Sequence, residues 1–375
     1  MGRRQSAVDE LVVTASSFWH GKRVLVTGHT GFKGSWLTLW LSSLGADVTG
    51  IALEPNTTPN LFTAANVAAA CRSRICDVRD AVPFTDQVHT TSPQIVFHLA
   101  AQPLVRASYR DPVRTYQTNV MGTVNLLEAL RTVPDVGAVV MVTTDKVYRA
   151  NEQPAPHNEG DALGGFDPYS ASKAASEHVI ASYRDAFLSD QGVAVASARA
   201  GNVIGGGDWS EDRLLPDAAR AWQYGDVLNV RRPGAVRPWQ HVLEPLAGYL
   251  SLAETLWRRP STAGSYNFGP DASEAATVRS VIELARSAYG RGDVLYGDAP
   301  SGPHETGWLA LDNAKSKKQL GVQPILSLSE AVTQTMAWYR TFGAGADAHQ
   351  LCMADIASFE KRRRADIGIE RPASA

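Results

Sequence analysis

Short apolar runs alternate with longer amphipathic segments over the first 200 residues of the chain. Six runs rich in β-branched residues predict buried strands. They lie at 22–28, 47–53, 72–77, 94–100, 137–143 and 193–200. Three longer segments, at 34–46, 112–133 and 168–187, have apolar positions at helical spacing and predict helices. Because strands alternate with helices, we expect an α/β fold, a doubly wound parallel sheet covered on both faces.

The pattern changes after about residue 200, where Gly, Pro and Trp become frequent and the regular alternation is lost. We therefore expect a smaller C-terminal substrate-binding lobe in addition to the sheet, with some segments that return to the sheet. The predicted parts are an N-terminal extension, a nucleotide-binding domain, this lobe and a helical tail, at 1–17, 18–200, 201–345 and 346–375.

Composition and charge are those of an enzyme-sized globular protein. The 375 residues are 44% hydrophobic, and the net charge of -2 gives no reason to expect nucleic acid or a charged membrane as a partner. No apolar run reaches the roughly 18 residues of a membrane-spanning helix. The 3 cysteines lack zinc or disulfide spacing, which favours the cytoplasm, and no histidine pair has metal-ligand spacing, so no metal is predicted.

The segment TGHTGFKG, residues 27–34, joins the first predicted strand to the first predicted helix. A tight turn requires Gly28, while Gly31 and Gly34 allow the backbone to approach a pyrophosphate and the helix to pack on the strand. Unsatisfied N–H groups at the helix start would then face the phosphates. An ordinary turn would not need three glycines at this spacing. The segment therefore predicts a dinucleotide site and a Rossmann-type sheet.

A second motif, YSASK at 169–173, lies early on a predicted helix. Tyr169 and Lys173 are four residues apart, so their side chains should share a face and touch. A tyrosine with a pKa of about 10 is a poor base at neutral pH, but a nearby ammonium and an oxidised nicotinamide would stabilise the phenolate. The pair could then deprotonate an alcohol. Such a spacing is common in helices, so this prediction depends on the motifs around it.

Two adjacent charges, Asp145 and Lys146 in TTDKVY, follow the strand predicted at 137–143. Ligands bind at the carboxyl ends of the strands in such a sheet, so we expect Thr144, Asp145 and Lys146 to lie near Tyr169. A simple dehydrogenase or epimerase needs one hydroxyl donor and a tyrosine there. It would leave this acid and base unexplained, whereas the elimination of water would use both.

These motifs resemble the extended short-chain dehydrogenase/reductase family, and within it the CDP-glucose branch of the nucleotide-sugar 4,6-dehydratases. The resemblance covers roughly residues 18–340 and is carried by TGHTGFKGSWL, HLAAQPLVRASY, RAGNVIGGGDW and RPWQHVLEPL. It implies NAD-dependent dehydration of CDP-glucose to CDP-4-keto-6-deoxyglucose for deoxysugar and polysaccharide biosynthesis. It also implies a homodimer built from the helices predicted at 112–133 and 168–187.

The same motifs are compatible with other functions. A nucleotide-sugar 4-epimerase shares the cofactor site, and a 4,6-dehydratase acting on another nucleotide sugar would share all the motifs. The intact Tyr169 and Lys173 pair argues against a non-catalytic nucleotide-binding module.

The resemblance also implies individual roles. Tyr169 would be the base for oxidation, Lys173 would tune it, and Thr144 would hydrogen-bond the substrate hydroxyl. Asp145 would be the acid of the dehydration. Lys146 stands where the dTDP-glucose and GDP-mannose relatives have Glu, and it would be the base or a stabiliser of the enolate.

The predicted NAD contacts combine the glycine turn, Asp77 after the third strand, the loop after the fourth strand and the YSASK motif. They are Gly28, Thr30, Gly31, Phe32, Lys33, Gly34, Asp77, Leu99, Ala100, Ala101, Tyr169 and Lys173. The resemblance implies that Asp77 would hold the edge of the adenine by hydrogen bonds. Lys33 could reach a phosphate or be a solvated turn residue. Glu54 could accept from a ribose 2′-hydroxyl, or be a solvated carboxylate, and no arginine follows it closely, which favours NAD over NADP.

A nucleotide diphosphate carries negative charge, so the substrate half should supply cations. The predicted substrate-binding residues are Gln102, Asn202, Arg213, Arg232, Arg237, His241 and His304. Trp209 and Trp239 would pack around the base or sugar, or else be local core aromatics.

Overall fold

A seven-stranded parallel sheet forms the centre of the computed structural model, which describes residues 18–150, 155–297 and 307–366. Its strands are β1 (Arg23–Thr27), β2 (Asp47–Ala52), β3 (Arg72–Ile75), β4 (Ile95–His98), β5 (Ala138–Val142), β6 (Ala194–Ala200) and β11 (Gly264–Phe268). The strand order is 3-2-1-4-5-6-11, and every neighbouring pair is parallel. This confirms the predicted α/β fold. The predicted extension at 1–17, His304 and residues 367–375 lie outside the described residues.

Helices cover both faces of this sheet. In the first half they are α1 (Phe32–Ser43), α2 (Leu61–Ala64), α3 (Ala81–Thr91), α4 (Val105–Arg110), α5 (Pro112–Tyr116), α6 (Gly122–Leu130) and α7 (Pro168–Tyr183). Alternate residues of a strand point to opposite faces, so each buried strand serves two cores. On β1, Val24 and Val26 join the core beneath α1, whereas Leu25 joins the core beneath α3 and α6.

Some helices differ from the sequence prediction. The helix predicted at 112–133 consists of α5 and α6 joined by a π-helical turn, Gln117–Met121. Helix α3 was not predicted, because Pro83 interrupts a short segment of mixed polarity. A proline is tolerated there, since the N–H groups of a first helical turn have no partner within the helix. Phe84 and Val88, four residues apart, bury the inner face of α3.

The segment after β6 builds a second, smaller lobe. Its elements are β7 (Asn202–Ile204), α8 (Leu214–Tyr224), β8 (Val227–Val230), β9 (Val236–Arg237), β10 (Trp239–His241), β12 (Ala276–Thr277), α10 (Val278–Tyr289) and β13 (Asp293–Tyr296). They form three two-stranded sheets, β7 with β10, β8 with β13, and β9 with β12. Between them, α9 (Leu243–Arg258) packs on β5 and β6, and β11 adds the seventh strand of the main sheet. The chain therefore passes repeatedly between the two parts.

Three helices end the described chain, α11 (Ala314–Leu320), α12 (Leu328–Gly343) and α13 (Ala348–Asp366). Helix α12 begins with a capping box formed by Ser327 and Glu330. Two arginines near the end of α13 contact other helices: Arg362 pairs with Glu330 of α12 at 2.9 Å, and Arg363 donates to the Ser251 hydroxyl of α9 at 2.7 Å. Across the described ranges, the helices are too short or too polar for any of them to cross a bilayer.

Candidate active site

Strands β1, β4, β5 and β6 all end at one edge of the sheet, and a cavity of about 330 Å³ opens there. Many of the residues predicted from sequence meet on its wall. Those that line it are Phe32, Lys33, Thr144, Asp145, Lys146, Tyr169, Asn202, Arg213, Arg232, Arg237 and Trp239. The cavity therefore brings the predicted catalytic motifs and the predicted cationic residues together.

The glycine turn between β1 and α1 has the geometry of a phosphate cradle. Gly28 has a φ of +78°, and a Cβ there would lie 2.8 Å from the Ala100 nitrogen. A Cβ on Gly34 would overlap the carbonyl oxygen of Gly28. Gly31 precedes α1, and no side chain of the described chain caps the helix at this position. The first N–H groups of α1 are thus available to an anion, and the turn fits a pyrophosphate.

The loops around this turn hold several of the predicted cofactor residues. Thr30 donates to the Leu53 carbonyl at 2.8 Å, and the Ala100 nitrogen donates to the Thr27 hydroxyl at 3.2 Å. The Asp77 carboxylate accepts hydrogen bonds from Arg79, including one from its backbone nitrogen at 2.9 Å. Adenine contact by Asp77 stays a prediction, and it would take place beside an existing ion pair.

Tyr169 lies in the first turn of α7 and is buried. Its backbone nitrogen donates to the Ser108 hydroxyl at 3.1 Å, which fixes the helix start over α4. Burial raises the pKa of Tyr169, while a hydrogen bond with the Thr144 hydroxyl and the charge of Arg213 act in the opposite direction. Thr144 and Tyr169 are therefore placed to hold one substrate hydroxyl between them.

Within the described residues, the ammonium of Lys173 does not hydrogen-bond to the Tyr169 phenol. It donates instead to the Val142 carbonyl at 3.1 Å, at the end of β5. Burial lowers the pKa of Lys173 to about 8, and the Glu177 carboxylate opposes that shift. The hydrogen bond to Val142 thus fixes the ammonium of Lys173 at the end of β5.

Asp145 opens a single 3-10 turn, Asp145–Val147, that follows β5. The Thr144 hydroxyl donates to its Oδ1 at 3.0 Å. Its Oδ2 is buried and has no hydrogen-bond partner among the described residues. Burial raises the pKa of Asp145, although the charges of Lys146 and Arg237 oppose the shift. These features suit a carboxylic acid that carries a proton on Oδ2.

Two lysines approach this acid from different elements. Lys146 follows it directly and lines the cavity. Lys33 reaches the same cavity from the glycine turn, and its Nζ lies 5.8 Å from the centre of the Tyr249 ring. Burial, followed by the charges of Lys173 and Arg213, lowers the pKa of Lys33 to about 7. Lys33 is therefore part of the site and not a solvated turn residue.

Arginines form another part of the cavity wall. Arg106 was not predicted, yet it lines this wall together with Arg213 and Arg237. The Asp212 carboxylate lies 3.6 Å from Arg106 and 3.1 Å from Arg231, so it holds two of the guanidinium groups in place. Arg106 lies within the HLAAQPLVRASY stretch, on the short helix α4. Its contribution to the cavity depends on where α4 packs, which the sequence pattern does not reveal. The wall suits a diphosphate.

Some predicted substrate residues lie elsewhere. The Gln102 side-chain amide donates to the Leu104 carbonyl at 3.1 Å and to Thr115 at 3.0 Å, so it stabilises its own loop. His241 is fully buried behind the cavity wall, with its ring 6.2 Å from that of Trp36. Trp209 packs against Trp338 and other rings of α12 as a core aromatic. Substrate contact by Gln102 or His241 stays a prediction.

Comparison with known proteins agrees with this site. The sequence pattern of the family described as GDP-mannose 4,6 dehydratase matches residues 25–335. A CDP-glucose 4,6-dehydratase from Salmonella typhimurium is 44% identical over 337 residues, which cover 88% of this chain and 94% of that protein. The chain belongs to the GDP-mannose 4,6 dehydratase family, and the resemblance to nucleotide-sugar 4,6-dehydratases is confirmed.

Two solved structures show the same fold. A UDP-glucose 4-epimerase from Thermus thermophilus, in complex with NAD, has a TM-score of 0.73 and 28% identity, covering 84% of this chain and 98% of its own. A dTDP-glucose 4,6-dehydratase double mutant from Streptomyces venezuelae, also with NAD bound, has a TM-score of 0.73 and 25% identity. It covers 84% of this chain and 96% of its own.

Proposed function

We propose that the protein is a hydro-lyase that uses NAD to convert CDP-glucose to CDP-4-keto-6-deoxyglucose. The observation that carries this proposal is the buried Asp145, which lines the cavity shared with Thr144 and Tyr169 and whose Oδ2 has no hydrogen-bond partner among the described residues. An epimerase has no use for such an acid. The 44% identity to a CDP-glucose 4,6-dehydratase supports the same reaction and the same nucleotide.

The first half of the reaction is an oxidation at C4 of the sugar. Bound NAD would accept a hydride from C4 and later return it to C6. Its pyrophosphate would lie against the Gly28–Gly34 turn at the start of α1. Tyr169, as phenolate, removes the proton of the 4-hydroxyl, while Thr144 donates a hydrogen bond to the same oxygen. The charged ammonium of Lys173 stabilises the phenolate.

The second half is an elimination of water. The ketone at C4 acidifies the C5 proton, and Lys146 removes that proton in its neutral form. Asp145 donates the proton on Oδ2 to the 6-hydroxyl, which leaves as water. Burial favours the protonated form of Asp145, as a general acid requires at neutral pH. Reduction at C6 would be accompanied by the return of a proton from Lys146 to C5, which restores the base. Asp145 regains a proton and Tyr169 releases the one it took from the 4-hydroxyl, so the net change is the loss of one water.

Mass spectrometry tests this proposal. The protein would be incubated in turn with CDP-, dTDP-, UDP- and GDP-sugars, and Tyr169→Phe would be the control because it removes only the phenol oxygen. We expect CDP-glucose alone to lose one water, and the control to leave it intact. Water loss from another nucleotide sugar would overturn the choice of cytidine. An isomer of unchanged mass would overturn the dehydration.

We also propose that the protein is a homodimer joined through α5–α7. Exposed apolar side chains on this surface support it, among them Val113 at 65% and Met121 at 48% exposure. Val113→Arg and Met121→Arg should each give a monomer in size-exclusion chromatography with light scattering. Val82→Arg, at a position of α3 that is 74% exposed, should leave the mass unchanged. A wild-type monomer would refute the dimer.

We also propose a division of the chain into two functional parts and a cellular location. We place the NAD-binding half at residues 18–200 and most of the substrate half at 201–345. We place the protein in the cytoplasm, which the free thiols of Cys71, Cys76 and Cys352 support.

A further inference from the structure

Glu177 is a buried acid directly behind the candidate active site. It lies on α7 four residues after Lys173 and eight after Tyr169, so the three side chains follow one face of the helix. Its side chain is 2% exposed, and that of its partner Arg199, on β6, is 4% exposed. Few charged groups are buried so deeply unless they are paired.

The Glu177 carboxylate connects α7 to two strands of the sheet. Its Oε1 accepts from the Thr143 hydroxyl and from Arg199 Nε at 3.0 Å. Its Oε2 accepts from the Ser197 hydroxyl and from Arg199 Nη2, each at 2.7 Å. Thr143 immediately precedes Thr144 and Asp145. The carboxylate therefore fixes the point where β5 leads into the catalytic turn, defined here as residues 144–146.

Arg199 holds the other end of the same turn. Its Nη1 donates to the Tyr148 hydroxyl at 2.9 Å, and its guanidinium lies 5.0 Å from the centre of the Tyr148 ring. The Tyr148 hydroxyl in turn donates to Asn267 Oδ1 at 2.6 Å, on β11. The chain is thus held before the catalytic turn through Thr143 and after it through Tyr148. Both anchors belong to a single buried ion pair.

We propose that the Glu177–Arg199 pair is a positioning device that aligns the catalytic turn with Lys173 and Tyr169. This proposal rests on the function proposed above. Neither residue lines the cavity, so both act through other residues. Glu177 is the more informative of the two, because it contacts Thr143 and shares a helix face with Lys173.

The charge of Glu177 also acts on Lys173. Glu177 raises the pKa of Lys173 against the effect of burial. Lys33, from the glycine turn, and His98, at the end of β4, also lie within electrostatic reach of Lys173. Burial lowers the pKa of His98 to about 3, so this imidazole carries no charge near neutrality. Glu177 is therefore the counter-charge that keeps Lys173 protonated.

Glu177→Gln separates positioning from simple stabilisation. The matched control is Ser197→Ala, which removes a hydrogen bond to the same carboxylate but contacts neither Lys173 nor the catalytic turn. Both variants should lower the thermal midpoint. We expect only Glu177→Gln to lower kcat by about 10²-fold, the scale of a displacement of roughly 1 Å. KM should stay within about threefold, and the alkaline limb of the rate profile should move to lower pH.

Thr143→Val isolates the geometric part, since it removes the hydroxyl but leaves the charge. It should lower kcat without moving the alkaline limb. If Glu177→Gln does not fold, Glu177→Asp retains the charge on a shorter side chain and should behave like Thr143→Val. The proposal is overturned if Glu177→Gln, or Glu177→Asp in its place, matches Ser197→Ala in kcat.

Failure of the proposed dehydration can be distinguished from failure of the positioning role of Glu177. If the wild type isomerises its nucleotide sugar without losing water, the dehydration is wrong. The alkaline limb can then be measured on that isomerisation, because an epimerase would use the same Tyr169 and Lys173. An alkaline limb that is identical in wild type and Glu177→Gln would refute the electrostatic role of Glu177 in either reaction.

Discussion

Gly28→Ala tests whether the backbone of the cofactor turn must lie close to the loop after β4, and Gly192→Ala is its matched control. The two glycines have nearly the same left-handed φ, +78° and +77°. No described atom lies within 4 Å of a Cβ at Gly192, so that substitution should cost only the conformational strain, about 1–2 kcal/mol. The same strain applies at Gly28 and cancels in the comparison.

Gly28 adds a steric overlap. A Cβ there would lie 2.8 Å from the Ala100 nitrogen and 2.9 Å from the Leu99 carbonyl carbon. Backbone atoms cannot rotate away, so the loop after β4 must shift to make room. Overpacking of this kind adds about 1–3 kcal/mol. We therefore expect Gly28→Ala to lose about 2–5 kcal/mol in total.

Thermal unfolding without NAD, together with isothermal titration with NAD, would check this prediction. Gly28→Ala should unfold at a lower temperature than Gly192→Ala and should bind NAD more weakly, whereas Gly192→Ala should bind like the wild type. Equal midpoints, together with wild-type NAD affinity in Gly28→Ala, would show that the close approach of the two loops is not required.

Three more predictions concern the same site. A Cβ at Gly31 would make only an ordinary van der Waals contact. Gly31→Ala should therefore keep the wild-type thermal midpoint and lose NAD affinity. An unchanged NAD affinity would contradict the phosphate cradle. Asp145→Asn should lower dehydration by at least about 10²-fold, since it removes a general acid, yet still allow transient NADH absorbance; loss of that absorbance would place Asp145 in the oxidation instead. Activity should fall as pH rises above about 8, where Lys173 loses its proton. Lys173→Arg should extend activity to higher pH at a lower rate. If the alkaline limb of its pH profile coincides with that of the wild type, Lys173 is not the titrating group.

Strands β1, β4, β5 and β6 could be predicted closely from sequence because they are buried on both faces. The run predicted at 137–143 forms β5 at Ala138–Val142, and the one at 193–200 forms β6 at Ala194–Ala200. Continuous apolar runs of this kind have few other stable environments. Short helices such as α2 and α4 depend on contacts with distant segments, and their local sequence does not predict them.

The residues of the candidate site could likewise be predicted only where they belong to local motifs. Local motifs predicted the residues that line the cavity from the strand ends, including Asp145 and Tyr169. They did not predict Arg106, whose place depends on where the short helix α4 packs, or the bond between Lys173 and Val142. Glu177 could have been suspected, since an acid continues the four-residue spacing of Tyr169 and Lys173. Its partner Arg199 is distant in sequence and becomes visible only in the fold.

The return of β11 to the main sheet has a consequence for how such proteins can diversify. Most of the lobe, including Arg213 and Arg237 of the cavity wall, lies between β6 and β11, with α9 packed on the sheet in between, and β12, α10 and β13 follow β11. A recombination event with one crossover after β6 would therefore also replace α9 and the edge strand. Exchange of the lobe alone would need several junctions, each compatible with the parental sheet. New sugar or nucleotide preferences are thus more accessible through point substitutions on the cavity wall than through the transfer of a module.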